Sequence, residues 1–394
     1  MRLPPSATRS MAILIAAATV ALPAPAAGPS TAEVELLRLP RDLINPRAAL
    51  GSDGTLHLVV YSGALQQGDL YYLRRTPEGA TSPRRRINVE PASVNGRGSI
   101  ASAHMALGVD DRVHVAYPGS RTAQPQGPYR TPGIFYSRLS DDGVGFEAPR
   151  NLMRRTRGGQ FGGQSIAADR EGRVWVSWYG VDAPRGTEPD ARLFVARSTD
   201  GGATFTPERP AREETLGACY CCAMSSMADD DGRLLLLYRA AGEGRHRDVH
   251  LFSSLDGGST FEDLTLDEWE FVGCPETGGS LARGAEGPLA IWEAAGKLLK
   301  VARLVGGGNE PPLTVLEGDG RLPRYPVAAT NDAGQTLVAW VEGISAKRPG
   351  DLVWQLLDGG GRPVGARERR AGQAKPNSLV AVVARPDGSF LVVI

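Results

Sequence analysis

Hydrophobic and polar positions alternate on one short ruler along most of the chain. Apolar runs at 56–61, 113–117, 174–178, 234–238, 289–292 and 337–340 each end in an aromatic, from Tyr61 and Tyr117 through Trp178 and Tyr238 to Trp292 and Trp340. Those aromatics lie 56, 61, 60, 54 and 48 residues apart. A tight-turn signal precedes every run, as at Asp53-Gly54, Asp110-Asp111, Glu171-Gly172 and Asp231-Gly232. Ahead of each turn lies another short run of small and apolar residues, and beyond each aromatic come a loop and a third run, such as 70–73, 134–137 and 193–196. Helical periodicity is absent, so the pattern predicts short β-strands.

Units of about 50 residues with four strands each cannot bury both faces of a sheet alone, and a ring of them is a β-propeller. Six full units are followed by a seventh that starts at Asn377-Ser378-Leu379 and reaches Ile394 without its aromatic. The spacing therefore predicts an all-β propeller of six or seven blades. Its missing outer strand is expected from Val34-Glu35-Leu36-Leu37-Arg38-Leu39, so that the two ends pair and hide the sheet edges.

At the N-terminus, Arg2 and Arg9 precede an apolar run at 11–22, followed by Ala24-Pro25-Ala26. This reads as a secretory signal over residues 1–26, with the propeller over 27–394. The run spans twelve residues, short of the roughly 20 that cross a bilayer. No later segment is a candidate span, so the expectation is a soluble protein exported to the periplasm or the extracellular space. With 44 basic and 44 acidic residues the charge is balanced, which gives no case for nucleic acid.

The turn after the third strand carries a sharper signature. Ser198, Asp200, Gly202, Thr204 and Phe205 are repeated as Ser254, Asp256, Gly258, Thr260 and Phe261, both fitting S-x-D-x-G-x-T-F. A weaker copy keeps Asp141, Gly143 and Phe146, and Asp358-Gly359-Gly360 is a remnant. An Asp carboxylate can accept from turn amides, and glycines can supply positive φ. These turns resemble the Asp-boxes, or BNR repeats, of the sialidase-like propellers, and the resemblance covers nearly the whole mature chain. It implies that the boxes are structural and lie on the face opposite the ligand site.

Sialidases of that family hold the substrate carboxylate with three arginines, attack with a tyrosine helped by a glutamate, and use an aspartate as acid and base. One arginine lies in an R-I-P motif about ten residues ahead of a turn glycine. Arg324-Tyr325-Pro326 precedes Gly334 by ten, but in the sixth unit, whereas the family's motif usually opens the propeller. Arg47 and Arg97 are further candidates beside Arg324 for binding a substrate anion. No Tyr/Glu pair or acid can be assigned, and 40 of the 44 basic residues are arginine, which dilutes the arginine signal.

The cysteines are the other candidate chemistry. Cys219 and Cys274 each lie 13 residues before their unit's turn glycine, Gly232 and Gly287. That register puts both where the chain re-enters toward the axis, on the face opposite the Ser-x-Asp turns, and Cys221 and Cys222 follow closely. All four should converge. Three readings stay open: two disulfides in an exported protein, with Cys219 or Cys222 bridged to Cys274; a thiolate site for Cu(I) or Zn(II) from Cys219, Cys221, Cys222, Cys274 and Met224; or a reactive thiol. Met227 and Met105, beside His104, lean toward copper. The other histidines (His57, His114, His246 and His250) show no ligand spacing. The leading expectation is a non-catalytic or atypical member that binds a ligand at its axial face, a glycan, a protein or copper. The alternatives are an exo-sialidase and a disulfide-stabilised interaction platform.

Overall fold

Every second strand alternates its side chains between two neighbouring sheets, and this period-two pattern builds the whole molecule. In the strand Thr336–Glu342, Leu337, Ala339 and Val341 face one neighbour while Val338 and Trp340 face the other. A computed structural model describes Met1 and residues 32–394 apart from 98–101, 159–162, 243–244, 277, 306–309 and 319. The signal read at 1–26 lies outside the described residues except for Met1.

The described chain is all-β and forms seven sheets. Blade 1 runs through Ile44–Leu50, Leu56–Ala64, Gln67–Arg75 and Arg85–Arg86. Blade 2 comprises His104–Leu107, Val113–Pro118, Ile134–Arg138 and Arg150–Asn151. Blade 3 is Gln164–Ala168, Val174–Gly180, Arg192–Ser198 and Arg209–Pro210, and blade 4 is Ser225–Ala228, Leu234–Arg239, Val249–Ser254 and Glu262–Asp267. Blade 5 holds Gly279–Ala282, Leu289–Ala294, Leu298–Arg303 and Leu313–Glu317. Blade 6 holds Pro323–Thr330, Thr336–Glu342, Gly350–Leu357 and Pro363–Ala374.

Six blades are thus four-stranded antiparallel meanders. The seventh has three strands, Ala381–Ala384 and Phe390–Val393 with Val34–Leu37 added in parallel, Val34 opposite Phe390. The choice between six and seven blades falls to seven. The predicted loan of an N-terminal strand is seen in that pairing, though the strand becomes the third of the sheet.

The first strands of the blades neighbour one another in a closed cycle, the seventh beside the first. Seven apolar clusters fill the seven gaps between blades, one of them joining Leu56, Leu58 and Val60 to Val383, Leu391 and Val393. Trp175, Trp178, Trp292 and Trp340 are fully buried there. Burying a side chain of Val, Leu or Phe size contributes roughly 1.5–3 kcal/mol, so the ring is held chiefly by these interblade seams.

Candidate functional site

In an antiparallel four-stranded blade, the turns after the first and third strands share one end, and the returns to the next blade share the other. The Ser-x-Asp turns and the cysteines therefore lie at opposite ends of the propeller, as their register predicted.

At the turn end the chemistry is local. Asp200 Oδ1 accepts from Ser198 Oγ at 2.7 Å and from the Thr204 amide at 2.9 Å, while Oδ2 accepts from Thr204 Oγ1 at 2.6 Å. Asp256 repeats this with Ser254 Oγ (2.8 Å), the Thr260 amide (2.9 Å) and Thr260 Oγ1 (2.7 Å). The Gly202 and Gly258 amides donate to Ser198 Oγ and Ser254 Oγ from φ of +80° and +86°. A side chain on Gly202 would collide with the Tyr136 hydroxyl of the preceding blade. Phe205 stacks edge-on against Tyr136, and Phe261 lies 6.3 Å from Phe252.

Bonds from Thr204 hold the Asp200 carboxyl down to about 2, and bonds from Thr260 push Asp256 lower still. The weaker copy works one residue later than its sequence alignment: Asp142, not Asp141, accepts from Ser140 Oγ at 2.5 Å and from the Val144 amide. Ser140 supplies the hydroxyl that Leu139 lacks, and Asp141 pairs outward with Arg112.

At the other end, the first strands enclose an axial cavity of about 220 Å³. Arg47, His104, Met105, Ser165, Met224, Ser225, Ser226, Ser280 and Tyr325 are among its lining residues, and none of the described lining residues is acidic. Arg47 donates from Nε to the Ala103 carbonyl (2.9 Å) and from Nη2 to Ser102 Oγ (2.7 Å) and His104 Nε2 (3.0 Å). His104 Nδ1 stands 3.2 Å from Ser165 Oγ, which also accepts from the Ser226 amide at 2.8 Å. One chain of hydrogen bonds thus crosses blades 1 to 4. Burial and the Arg47 charge hold the His104 ring well below its ordinary range, and burial lowers Arg47 to about 10.

The cysteine loop leads straight into the blade 4 lining. Gly217, at φ +69°, passes so close to the Ala241 carbonyl that a Cβ would lie 2.6 Å from its oxygen. Glu188, from the loop of blade 3, clamps this turn by accepting from the Ala218 amide through its carbonyl and from the Tyr220 amide through Oε1. Its Oε2 is 2.9 Å from Arg247 Nη2. Ala223 then bridges in parallel to Gly278 of the next blade.

All four cysteines converge, as their spacing predicted. They form disulfides Cys219–Cys222 and Cys221–Cys274, and no described cysteine is free. The partner of Cys274 is neither Cys219 nor Cys222. Those two are fully buried, within one turn in which the Cys222 amide donates to the Cys219 carbonyl, and the partly exposed Cys221 is left to reach blade 5. The ligand atoms of Cys219, Cys221 and Cys222 nonetheless lie within 4.8 Å of one another, with Cys219 Sγ 3.5 Å from Cys221 Sγ. Met224 is buried in the seam with Trp175 and Tyr179 as well as lining the cavity.

The three candidate arginines have different surroundings. Arg324 turns its Nη1 onto the carbonyls of Pro275 and Glu276, the latter at 2.6 Å, and lies 3.8 Å from Glu293 Oε2. It does not line the cavity, and Arg47 does. The β-bulges explain this: Pro46 and Pro326 occupy equivalent bulges, so Arg324 matches Ile44 and Arg47 matches Val327. Arg97 is exposed at the edge of the segment 98–101.

Sequence reasoning missed Glu293. This fully buried carboxyl is pushed up to about 7 by burial, against the pull of Arg324, and its Oε1 accepts from the Tyr325 amide (2.7 Å) and the Gly278 amide (3.3 Å). Its one signal was an acidic residue directly after the terminal aromatic Trp292. His57, His114 and His250 each place Nδ1 2.7–2.8 Å from a third- or fourth-strand partner (Tyr72, Tyr136 and Asp263). They sit away from the axial cavity.

No family model and no curated protein matches the chain. Solved structures do. A polysaccharide lyase, an ulvan lyase bound to a -[GlcA(1-4)Rha3S]- oligosaccharide, aligns at TM-score 0.53 and 14% identity over 87% of this chain and 88% of its own. A protein of unknown function from Dyadobacter fermentans aligns at 0.50 and 17%, over 76% of this chain and 94% of its own. A Hadza microbial sialidase aligns at 0.49 and 14%, over 88% and 74%. The chain shares its fold with the first two of these proteins. Among the described residues no helix is long and apolar enough to cross a membrane.

Proposed function

We propose that this is an exported, sialidase-like propeller that binds a ligand at its axial end rather than cleaving a glycoside, and that the cysteine rim is a thiol-gated site for a soft metal, with Cu(I) the first candidate. The observation that supports it is the sulfur cluster: three cysteines of one loop within 4.8 Å and a fourth brought in from the next blade. In the disulfide state the sulfurs are not ligands. Two equivalents of a dithiol would each give two electrons and two protons, breaking both S–S bonds and leaving four thiols. Thiolates so close together favour Cu(I) over harder cations, and binding releases their protons. Against catalysis stands Arg324, whose guanidinium is committed to the Pro275 and Glu276 carbonyls.

Thiol counting and metal analysis test this together. The expected result is no free thiol and no copper in the oxidised protein, and four thiols with one Cu(I) per chain after reduction by a dithiol. Reduced protein that binds no copper above a Cys219→Ser, Cys221→Ser, Cys222→Ser, Cys274→Ser variant would leave only the disulfide-stapled platform. A sialidase reading is favoured by one observation, the carboxyl of Glu293 raised to about 7 beside Arg324. Release of a fluorogenic leaving group from a sialoside, abolished in Arg324→Ala, would support it.

A further inference from the structure

The two disulfides differ in what can reach them. Cys219 and Cys222 are 0% exposed, inside a turn that the Glu188 carboxylate holds through the Tyr220 amide. Cys274 is exposed and Cys221 partly so. The backbone on both sides of Cys274 is pinned. The Gly273 carbonyl accepts from Arg247 Nε (3.3 Å) and Nη2 (3.1 Å), and the Pro275 and Glu276 carbonyls accept from Arg324 Nη1. A cut bridge therefore leaves the Cys274 sulfur at the rim.

Cys221 joins the two bridges. It is bonded to Cys274, and its Sγ lies 3.5 Å from Cys219 Sγ. Disulfides exchange when a thiolate attacks one of their sulfurs, and access decides which sulfur that is. A thiolate from outside meets Cys274, whereas a thiolate on Cys221 meets Cys219. Attack by Cys221 on Cys222 instead would close a bridge between adjacent residues, which is strained.

We infer that the rim is a two-step thiol–disulfide relay, in which Cys221 passes the reducing equivalents of an external dithiol from exposed Cys274 to the buried Cys219–Cys222 bridge. In the first step a thiolate of the dithiol attacks Cys274 Sγ. The Cys221–Cys274 bond breaks, a mixed disulfide forms on Cys274, and Cys221 leaves as a thiolate. The second thiol of the reagent then attacks its own sulfur in that mixed disulfide, releasing Cys274 and the oxidised reagent. In the second step the Cys221 thiolate attacks Cys219 Sγ, forming Cys219–Cys221 and expelling Cys222. Two electrons and two protons have left one dithiol, and the protons rest on Cys222 and Cys274. A second dithiol meets the new bridge at the partly exposed Cys221. The relay rests on the thiol gate proposed above and not on copper: it gives the order in which that gate opens.

The test uses the oxidised full chain with a chelator and no added metal. One equivalent of dithiothreitol is added and the reaction is quenched with acid. Free thiols then take a first alkylating label, the remaining cysteines take a second after full reduction, and fragment masses locate both. The first label is expected on Cys222 and Cys274, and the second on Cys219 and Cys221. A Cys221→Ser, Cys274→Ser double variant keeps the buried bridge without the relay. That bridge is expected to be reduced at least about tenfold more slowly than in the wild type, because exchange follows access to the attacked sulfur. Cys274→Ser, which frees Cys221 with no dithiol added, is expected to carry first label on Cys222 as well as on Cys221. First label that never reaches Cys222 in the wild type or in Cys274→Ser, or equal reduction rates of the buried bridge in the wild type and the folded double variant, would overturn the inference. A working relay in a protein that binds no copper would defeat the copper reading alone.

Discussion

The two ends of this propeller solve their polar problems in opposite ways. At the turn end, Asp200 and Asp256 find their partners within four residues of themselves, and nothing is left over. At the axial end, the bonds reach across the ring: Arg47 to His104, Ser165 to Ser226, Glu293 to Tyr325, Cys221 to Cys274. There donors remain unspent and one carboxyl is buried with an oxygen that no hydrogen bond satisfies, Glu293 Oε2. A self-satisfied motif is scaffold, and a region with surplus polar capacity is where a ligand has something to gain.

The largest expected break in this contrast is covalent. Cys221 and Cys274 are 53 residues apart, and Cys219 and Cys222 three. In the chain-entropy account, removing the long-range bridge with Cys221→Ala and Cys274→Ala costs about 4 kcal/mol, against about 2 kcal/mol for the short one. Denaturant midpoints of the two paired variants measure the difference, and equal losses would contradict the assignment of the long-range bridge to Cys221.

The pH dependence should differ in sign between the ends. A carboxyl raised from 4.5 to about 7, as in Glu293, binds its proton more tightly in the folded state. Its contribution to stability is therefore full below about 4.5 and is lost as pH rises toward about 7. Asp200, lowered from 3.8 to about 2, behaves oppositely: its contribution is full above the unfolded value and is lost as pH falls toward 2. Melting curves across this range should show Glu293→Gln flattening only the upper limb and Asp200→Asn only the acid limb. A Glu293→Gln profile identical to wild type would break the contrast.

The smallest effect belongs to a single turn. Asp256→Ala removes local bonds of the kind that cap helices and close turns, worth about 1 kcal/mol. It should lower the melting temperature by about 1–2 °C and leave binding at the axial end unchanged.

The same contrast governs what was legible in the sequence. Blades, turns and the convergence of four cysteines follow from spacing, because strand period and turn chemistry act over a few residues and the repeat carries them round the ring. Pairing does not follow from spacing: whether Cys219, Cys221 or Cys222 reaches Cys274 depends on which sulfur the Glu188-clamped turn leaves facing blade 5. The roles of Glu293 and Ser165 were hidden for the same reason, since each is defined by amides and rings 15 or more residues away. Arg47 and Arg324 looked alike until the two bulges set their registers three residues apart.

X-ray absorption at the copper edge tests the central claim most directly, on protein reduced with a dithiol, loaded with one equivalent of Cu(I) and freed of excess metal. A first shell made of sulfur alone, lost in the variant with all four cysteines replaced by serine, is the result expected of a thiolate rim at the axial end. A shell of nitrogen and oxygen, or copper retained equally by the cysteine-free variant, would contradict it.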